Sequence, residues 1–174
     1  IVDATDFAFV REWSYEGDGW GIALNRARKE LYLSDGSATV RVLDPVTLSE
    51  RRRFVVTDAG RPIHLLNELE YIDNELWSNV FGTFLVARVN PRTGVVNQWI
   101  DFEELLSVDE MAFGEIDVMN GIAFDEKNRR IYVTGKYWPY IFEVQPTDEI
   151  VADDVAKRRP LFLDRGLLRR YQRA

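Results

Sequence analysis

Hydrophobic and polar positions alternate along this chain in short runs, which is the pattern of half-buried β-strands. Residues 39–43 alternate in this way, and Asp44-Pro45 ends the run because proline has no N–H to donate to a ladder. A Gly/Asp/Ser corner at residues 35–37 separates this run from an earlier apolar run at residues 31–34. The pattern predicts short antiparallel strands joined by tight turns.

The same order of strand, turn, strand, turn and strand occurs three times. The three occurrences open at Trp20, Asn67 and Asn120, about 50 residues apart, and each ends at a proline. A period of roughly 40–50 residues with about four short strands per unit is typical of β-propeller blades. The sequence therefore predicts an all-β protein with a β-propeller fold. We expect its blades at residues 17–56, 63–101 and 118–146.

The rest of the chain does not fit this repeat. Residues 7–13 alternate like a strand and are interpreted as the last strand of a preceding blade, and residues 102–111 are predicted to form a short helix. About three and a half blades cannot close a ring, and closure is how a propeller protects its strand edges. We therefore expect a fragment, with a partial propeller over residues 1–146 and a helical C-terminal extension over residues 147–174.

Composition excludes several classes of function. The 174 residues include no Cys and one His, which rules out disulfides, thiolate metal sites and mechanisms that need two His. The net charge of −7 argues against binding to nucleic acid, because phosphate contacts need a basic surface. No apolar run approaches the roughly 18–20 residues of a membrane helix, and residues 1–6 show no targeting signal. We expect neither a nucleic-acid nor a membrane partner.

Several motifs, in order, resemble those of the plant-type and bacterial glutaminyl cyclases, or glutamine cyclotransferases. The motifs are Gly19-Trp20-Gly21, Leu66-Asn67-Glu68-Leu69-Glu70, Asn120-Gly121-Ile122-Ala123 and Thr134-Gly135-Lys136. This resemblance covers about residues 13–144 and implies a five-bladed β-propeller. It also implies an aminoacyltransferase that converts the N-terminal glutamine of a peptide or protein to pyroglutamate, releases ammonia and uses no metal or cofactor. A monomer is expected, and a periplasmic or secreted location, since the bacterial members are generally exported.

The chemistry of cyclisation requires three kinds of group. A carboxylate must move a proton from the attacking amine to the departing ammonia. Hydrogen-bond donors or a cation must stabilise the oxyanion, and an aromatic pocket must hold the folded glutaminyl group. Residues at equivalent positions of the inner strands converge at the central channel of a propeller, and Trp20, Asn67 and Asn120 are such residues.

The resemblance assigns roles to particular residues of this chain. Trp20 forms a pocket wall, Asn67 binds the substrate amide or carbonyl, and Lys136 supplies positive charge near the oxyanion. Phe81 replaces the tryptophan of the family's Asn-Val-Trp motif, so the aromatic wall is kept while the indole N–H is lost. Asn120 and Glu68 are further candidates for the channel. Each of these residues also has a purely structural interpretation. The aromatic rings could pack in the core, the asparagine amides could satisfy backbone groups of a turn, and the charged side chains could be solvated at the surface.

One departure from the family concerns the acid/base group. The resemblance places the catalytic glutamate in an early blade, upstream of Ile1, so the chain by itself is predicted to be inactive, while a longer parent protein would be a competent cyclase. Two alternatives stay open. Asn67, Glu68 and Asn120 could hold Ca²⁺ or Zn²⁺ by oxygen in a lactonase-like propeller hydrolase, or the propeller could be a non-catalytic binding module.

Overall fold

A computed structural model describes residues 1–106 and 116–146 of the chain. The described part consists of antiparallel β-sheets and a single turn of 3-10 helix at Glu103–Leu105. Blade one contains, in chain order, β1 (Gly21–Asn25), β2 (Glu30–Ser34), β3 (Thr39–Leu43) and β4 (Glu50–Val55). A small hairpin follows, formed by β5 (Thr57–Asp58) and β6 (Arg61–Pro62).

Blades two and three continue the same meander. Blade two contains β7 (Leu66–Ile72), β8 (Glu75–Val80), β9 (Leu85–Val89) and β10 (Val96–Asp101). Blade three contains β11 (Met119–Asp125), β12 (Arg130–Gly135) and β13 (Phe142–Val144). Strands that are adjacent in the chain are therefore adjacent in each sheet, as the alternating pattern predicted.

Local sequence explains where the inner hairpins turn. β7 and β8 are joined by Asp73 and Asn74, which both adopt positive φ, at 49° and 68°. Two central residues with positive φ make the turn whose twist matches that of the flanking strands, and Asp and Asn tolerate this conformation better than most residues. The turn therefore fixes the register of the hairpin that begins at Asn67.

Two hydrophobic clusters hold the blades face to face. The cluster between blades one and two includes Tyr32, Val40, Leu66 and Leu69, all fully buried. The cluster between blades two and three includes residues from β7, β8, β11 and β12, among them Trp77, at 3% exposure. Burial of one large aliphatic side chain contributes about 1.5–3 kcal/mol, so these clusters fix the blades against each other. The inner strand β7 contacts β1 on one side and β11 on the other.

The all-β class is confirmed, and one expectation about the chain's first residues is wrong. Residues 7–13 form no strand, and the only β-bridge recorded for the segment that precedes blade one, within the described part of the chain, joins Val2 and Phe9. Phe7 adopts a φ of 58°, and the side chains of Phe7 and Phe9 are 77% and 70% exposed. An alternating segment becomes a strand only where a neighbour accepts its hydrogen bonds and covers one face.

The predicted helices have different outcomes. Of residues 102–111, only Glu103–Leu105 form a 3-10 turn, and Leu106 ends it with an extended backbone at φ −112° and ψ 136°. Residues 107–111 and the predicted helical extension at 147–174 lie outside the described residues. In the ranges that are described, no helix has the length and apolar character needed to cross a bilayer.

Candidate active site

The three repeat openings occupy the same place in their blades. In the inner hairpin of each blade, the residue two places after Trp20, Asn67 or Asn120 pairs with the fourth residue of the second strand. These pairs are Ile22 with Leu33, Leu69 with Ser78, and Ile122 with Val133. Trp20, Asn67 and Asn120 are therefore structurally equivalent, at the start of the inner strand.

Blade two carries a β-bulge at this position. Leu66 pairs with Val80 and Leu69 with Ser78, so Asn67 and Glu68 together lie opposite the single residue Asn79. A bulge adds one residue to a strand, increases the local twist and changes the direction of its side chains. Bulges are frequent beside active sites. This one gives Asn67 and Glu68 an orientation that a regular strand would not.

Blade three carries a bulge in the same place. Met119 pairs with Gly135 and Ile122 with Val133, so Asn120 and Gly121 share one opposing residue, Thr134. Gly121 adopts a φ of 153°, and a Cβ atom there would lie 2.9 Å from Cγ2 of Thr134. Glycine is thus required on both conformational and steric grounds.

An aromatic wall and a lysine meet at this end of the blades. The rings of Trp20 and Phe81, which we call the aromatic wall, contact edge to face with centroids 5.6 Å apart and planes at 66°. Nζ of Lys136 lies 5.6 Å from the centroid of Phe81, within cation–π distance. Gly36 lets the wall form, because a Cβ there would come within 2.8 Å of the Trp20 ring. The structure thus brings together three predicted residues that come from three blades.

Asn67 is held in place by blade one. Its side chain is buried, and its carbonyl oxygen accepts a hydrogen bond of 2.6 Å from Oγ of Ser34. Gly21 packs against the same carbonyl so closely that a Cβ there would lie 2.1 Å from the oxygen. The backbone of Asn67 is therefore fixed against blade one.

The carboxylate of Glu68 binds the backbone of blade three. Its Oε2 accepts a hydrogen bond of 3.0 Å from the N–H of Ile122, and Oε1 of Glu70 accepts one of 3.2 Å from Phe124. Burial raises the pKa of Glu68 to about 7, with a further contribution from the negative charge of Glu70, against the lowering effect of the Ile122 and Leu69 N–H groups. Burial also raises the pKa of Glu70. A carboxyl that titrates near neutral pH is suited to proton transfer.

Sequence reasoning did not identify Asn79 as a site residue. Asn79 is fully buried, and its Oδ1 accepts a hydrogen bond of 3.2 Å from the N–H of Gly121. Within the described ranges, Nδ2 of Asn79 and Oδ1 of Asn120 are buried without a hydrogen-bond partner. A buried polar atom left unpaired costs about 1–3 kcal/mol, so this cluster retains unused hydrogen-bonding capacity. The available signal was an asparagine in the second strand of the hairpin, β8, opposite the repeat opening.

Two other features help to locate the candidate site. A cleft of about 230 Å³ lies at the opposite, hairpin end of blades one and two, where Arg28, Arg52, Arg92 and Tyr71 line it. Among the residues that the structure describes, no three His, Asp or Glu side chains are grouped so that they could hold a metal ion. The candidate site is therefore the inner-strand end that contains the aromatic wall, the asparagines and Lys136.

Sheets packed face to face, with bulged inner strands that bring rings, amides and a lysine to one end, define a β-propeller with a polar inner site. The chain belongs to the glutamine cyclotransferase family, which residues 1–146 match. A curated glutaminyl-peptide cyclotransferase from Arabidopsis thaliana is 40% identical over 129 residues, which are 74% of this chain and 40% of that protein.

A solved structure shows the same likeness. The crystal structure of Myxococcus xanthus glutaminyl cyclase superposes with a TM-score of 0.68 at 32% identity. The match covers 75% of this chain and 56% of that chain. The chain thus spans about half the length of the relatives it matches.

Proposed function

We propose that the protein, in its full length, converts an N-terminal glutamine to pyroglutamate and releases ammonia. The α-amine would attack the γ-carboxamide carbon of the same residue, so that one C–N bond forms, the bond to the amide nitrogen breaks, and one proton passes from the amine to the leaving group. The observation that supports this best is the meeting of Trp20, Phe81 and Lys136 beside the inner strands.

The aromatic wall would hold the glutaminyl group in its folded, reactive shape. Two rings in edge-to-face contact present an apolar surface that excludes water from the reacting atoms. Because Phe81 has no indole N–H, this ring would recognise the substrate by shape rather than by a hydrogen bond.

Polar groups beside the wall would stabilise the charge that develops. Lys136 is exposed, with its ammonium held near the face of Phe81, where it can approach the oxyanion of the tetrahedral intermediate. The amides of Asn67 and Asn120 would bind the carboxamide or carbonyl of the substrate, since an amide offers both donors and an acceptor.

Proton transfer requires a carboxylate. We propose that it comes from another blade of the full-length protein, as the family resemblance implies, because Glu68 and Glu70 already bind backbone N–H groups of blade three. The residues of this chain would then supply substrate binding and electrostatic stabilisation.

Further proposals rest on the resemblance to the family. We propose that the substrates are peptides or proteins with N-terminal glutamine, that the protein acts as a monomer and as an acyltransferase, and that it works in the periplasm or outside a bacterial cell. Size-exclusion chromatography with light scattering tests the monomer, and fractionation of the producing cell tests the location.

The function is tested by measuring ammonia release from a glutaminyl peptide with the full-length protein. Lys136→Met should lower kcat by about 100- to 1,000-fold, the usual effect of losing one oxyanion-stabilising group. Lys127→Met, in the exposed turn between β11 and β12, is the matched control and should leave the rate unchanged. Equal rates for wild type and Lys136→Met would refute the role of this lysine.

A further inference from the structure

Blade two supplies hydrogen-bond acceptors to the inner strand of blade three. Oδ1 of Asn79 binds the N–H of Gly121, Oε2 of Glu68 binds that of Ile122, and Oε1 of Glu70 binds that of Phe124. β11 pairs with β12 along one edge and has no ladder on its other edge within the described residues. Backbone N–H groups that are partly buried need partners, and these side chains provide them.

One of these contacts falls on the bulge, one falls at its end and one falls beyond it. Gly121 belongs to the bulge and Ile122 is the residue at which regular pairing resumes, whereas Phe124 lies within the regular ladder opposite Ile131. We call Glu68 and Asn79 the acceptor pair. The orientation of a bulge determines the direction of the strand that leaves it, so the acceptor pair acts where the direction of β11 is set.

The bulge is connected to Lys136 through main-chain hydrogen bonds. The N–H of Lys136 donates to the carbonyl of Val118 at 2.9 Å, and the N–H of Asp117 donates to the carbonyl of Lys136 at 3.0 Å. Asp117 and Val118, which carry two of these groups, lie just before Met119 and the bulge that follows it. A change in the bulge would therefore move Lys136 relative to Phe81, which belongs to blade two.

We propose that Glu68 and Asn79 are positioning residues, which fix the bulge of blade three so that Asn120 and Lys136 lie against the aromatic wall. Asn79 and Glu68 stand opposite each other in the bulge of blade two, so the bulge of one blade holds the bulge of the next. The effect that we expect on catalysis rests on the proposed cyclase function. The effect on the position of Lys136 does not depend on that function.

Glu70 provides a matched control within the same strand. Oε1 of Glu70 likewise accepts a hydrogen bond from a backbone N–H of β11, at 3.2 Å, and burial raises the pKa of Glu70 as it does that of Glu68. A purely structural role in joining two blades would make Glu68→Ala and Glu70→Ala equivalent. A positioning role predicts that Glu68→Ala changes the position of Lys136 and that Glu70→Ala does not.

The first experiment is NMR spectroscopy of the full-length protein with labelled lysine, together with amide hydrogen exchange. Nζ of Lys136 lies 5.6 Å from the centroid of the Phe81 ring, so the neighbouring ε-methylene should show an upfield ring-current shift. We expect Glu68→Ala and Asn79→Ala to remove this shift and the protection of the Gly121 and Ile122 amides. Glu68→Gln, which keeps an acceptor oxygen, should retain both, and Glu70→Ala should affect only Phe124.

The second experiment is the kinetics of ammonia release with the same variants. Glu68→Ala should lower kcat/KM by about 10- to 100-fold, the effect of a misplacement near 1 Å, with recovery in Glu68→Gln and no change in Glu70→Ala. A wild-type protein without cyclase activity would refute the proposed function and leave the NMR comparison as the test of positioning. An unchanged Lys136 shift in folded Glu68→Ala and Asn79→Ala would overturn the positioning role, whatever the activity.

Discussion

Replacing Glu68 with glutamine should stabilise the protein at neutral and alkaline pH. Glutamine keeps a side-chain oxygen that can accept the Ile122 hydrogen bond and removes the charge that burial disfavours. The pKa of Glu68 rises from 4.5 to about 7 in the folded state. Each tenfold change in proton affinity is worth 1.36 kcal/mol, so the buried charge costs the wild type at most about 3 kcal/mol.

The pH dependence follows from linkage. Because the folded pKa lies above the unfolded one, the contribution of the protonated carboxyl is fully present below pH 4.5 and is lost as the pH rises through about 7. The free energy of unfolding of Glu68→Gln, minus that of the wild type, should therefore rise by up to about 3 kcal/mol between pH 4.5 and 8. Subtraction cancels the other carboxyl groups, apart from Glu70, whose negative charge interacts with that of Glu68 in the wild type alone.

Urea unfolding followed by tryptophan fluorescence at several pH values measures this difference. A gain of about 3 kcal/mol corresponds to a rise of roughly 6–12 °C in Tm at pH 8 for a chain of this length. Glu70→Gln should show the same sign, since burial raises that pKa as well. A difference that does not change with pH, or a Glu68→Gln variant less stable than the wild type at pH 8, would refute the reasoning.

Three further predictions concern the bulge, a turn and the aromatic wall. Gly121→Ala should lower the free energy of unfolding by about 1–3 kcal/mol, because its Cβ would lie 2.9 Å from Cγ2 of Thr134; denaturant unfolding should show partial recovery when Thr134→Ser removes that methyl group. The pKa of Asp44 is lowered to about 2, chiefly by the N–H groups of Thr47 and Val46 and then by Arg51. The stabilising effect of the ionised carboxyl is present above pH 3.8 and is lost as the pH falls towards 2. Asp44→Asn should therefore make Tm depend less on pH in that range, and an unchanged slope would count against this assignment. Phe81→Trp should lower KM for glutaminyl peptides several-fold by restoring an N–H donor, whereas Phe81→Leu should raise it; identical KM values would show that the wall does not contact substrate.

The repeat could be predicted from sequence because its signals are local. Trp20, Asn67 and Asn120 each stand before an apolar run with the same turn spacing, and the structure places them at equivalent positions of their hairpins. Strand periodicity and turn residues depend on neighbours in the chain, so the sequence pattern contains them. The meeting of Trp20, Phe81 and Lys136 was inferred from family resemblance rather than from pattern.

Other features depend on partners far away in the chain. The sequence makes Glu68 a candidate residue of the channel. Its hydrogen-bond partner, Ile122, lies in the next blade, and no local pattern specifies that contact. Asn79 is a buried amide in β8 and is explained by the bulges of blades two and three, which it lies opposite and contacts. Residues 7–13 have strand-like alternation, yet among the residues that the structure describes they form a single bridge, from Phe9 to Val2. Alternation gives a segment its strand propensity, whereas pairing depends on tertiary structure.

The most direct test of the central claim is ammonia release from a glutaminyl peptide, compared between this chain and a longer polypeptide extended upstream to the length of its relatives. The account predicts release by the longer polypeptide, a loss of at least about 100-fold with Lys136→Met, and no release by the chain of 174 residues. Release by neither folded protein would contradict the cyclase function. Release by the shorter chain that disappears in Glu68→Gln would show that Glu68 is itself the acid/base group.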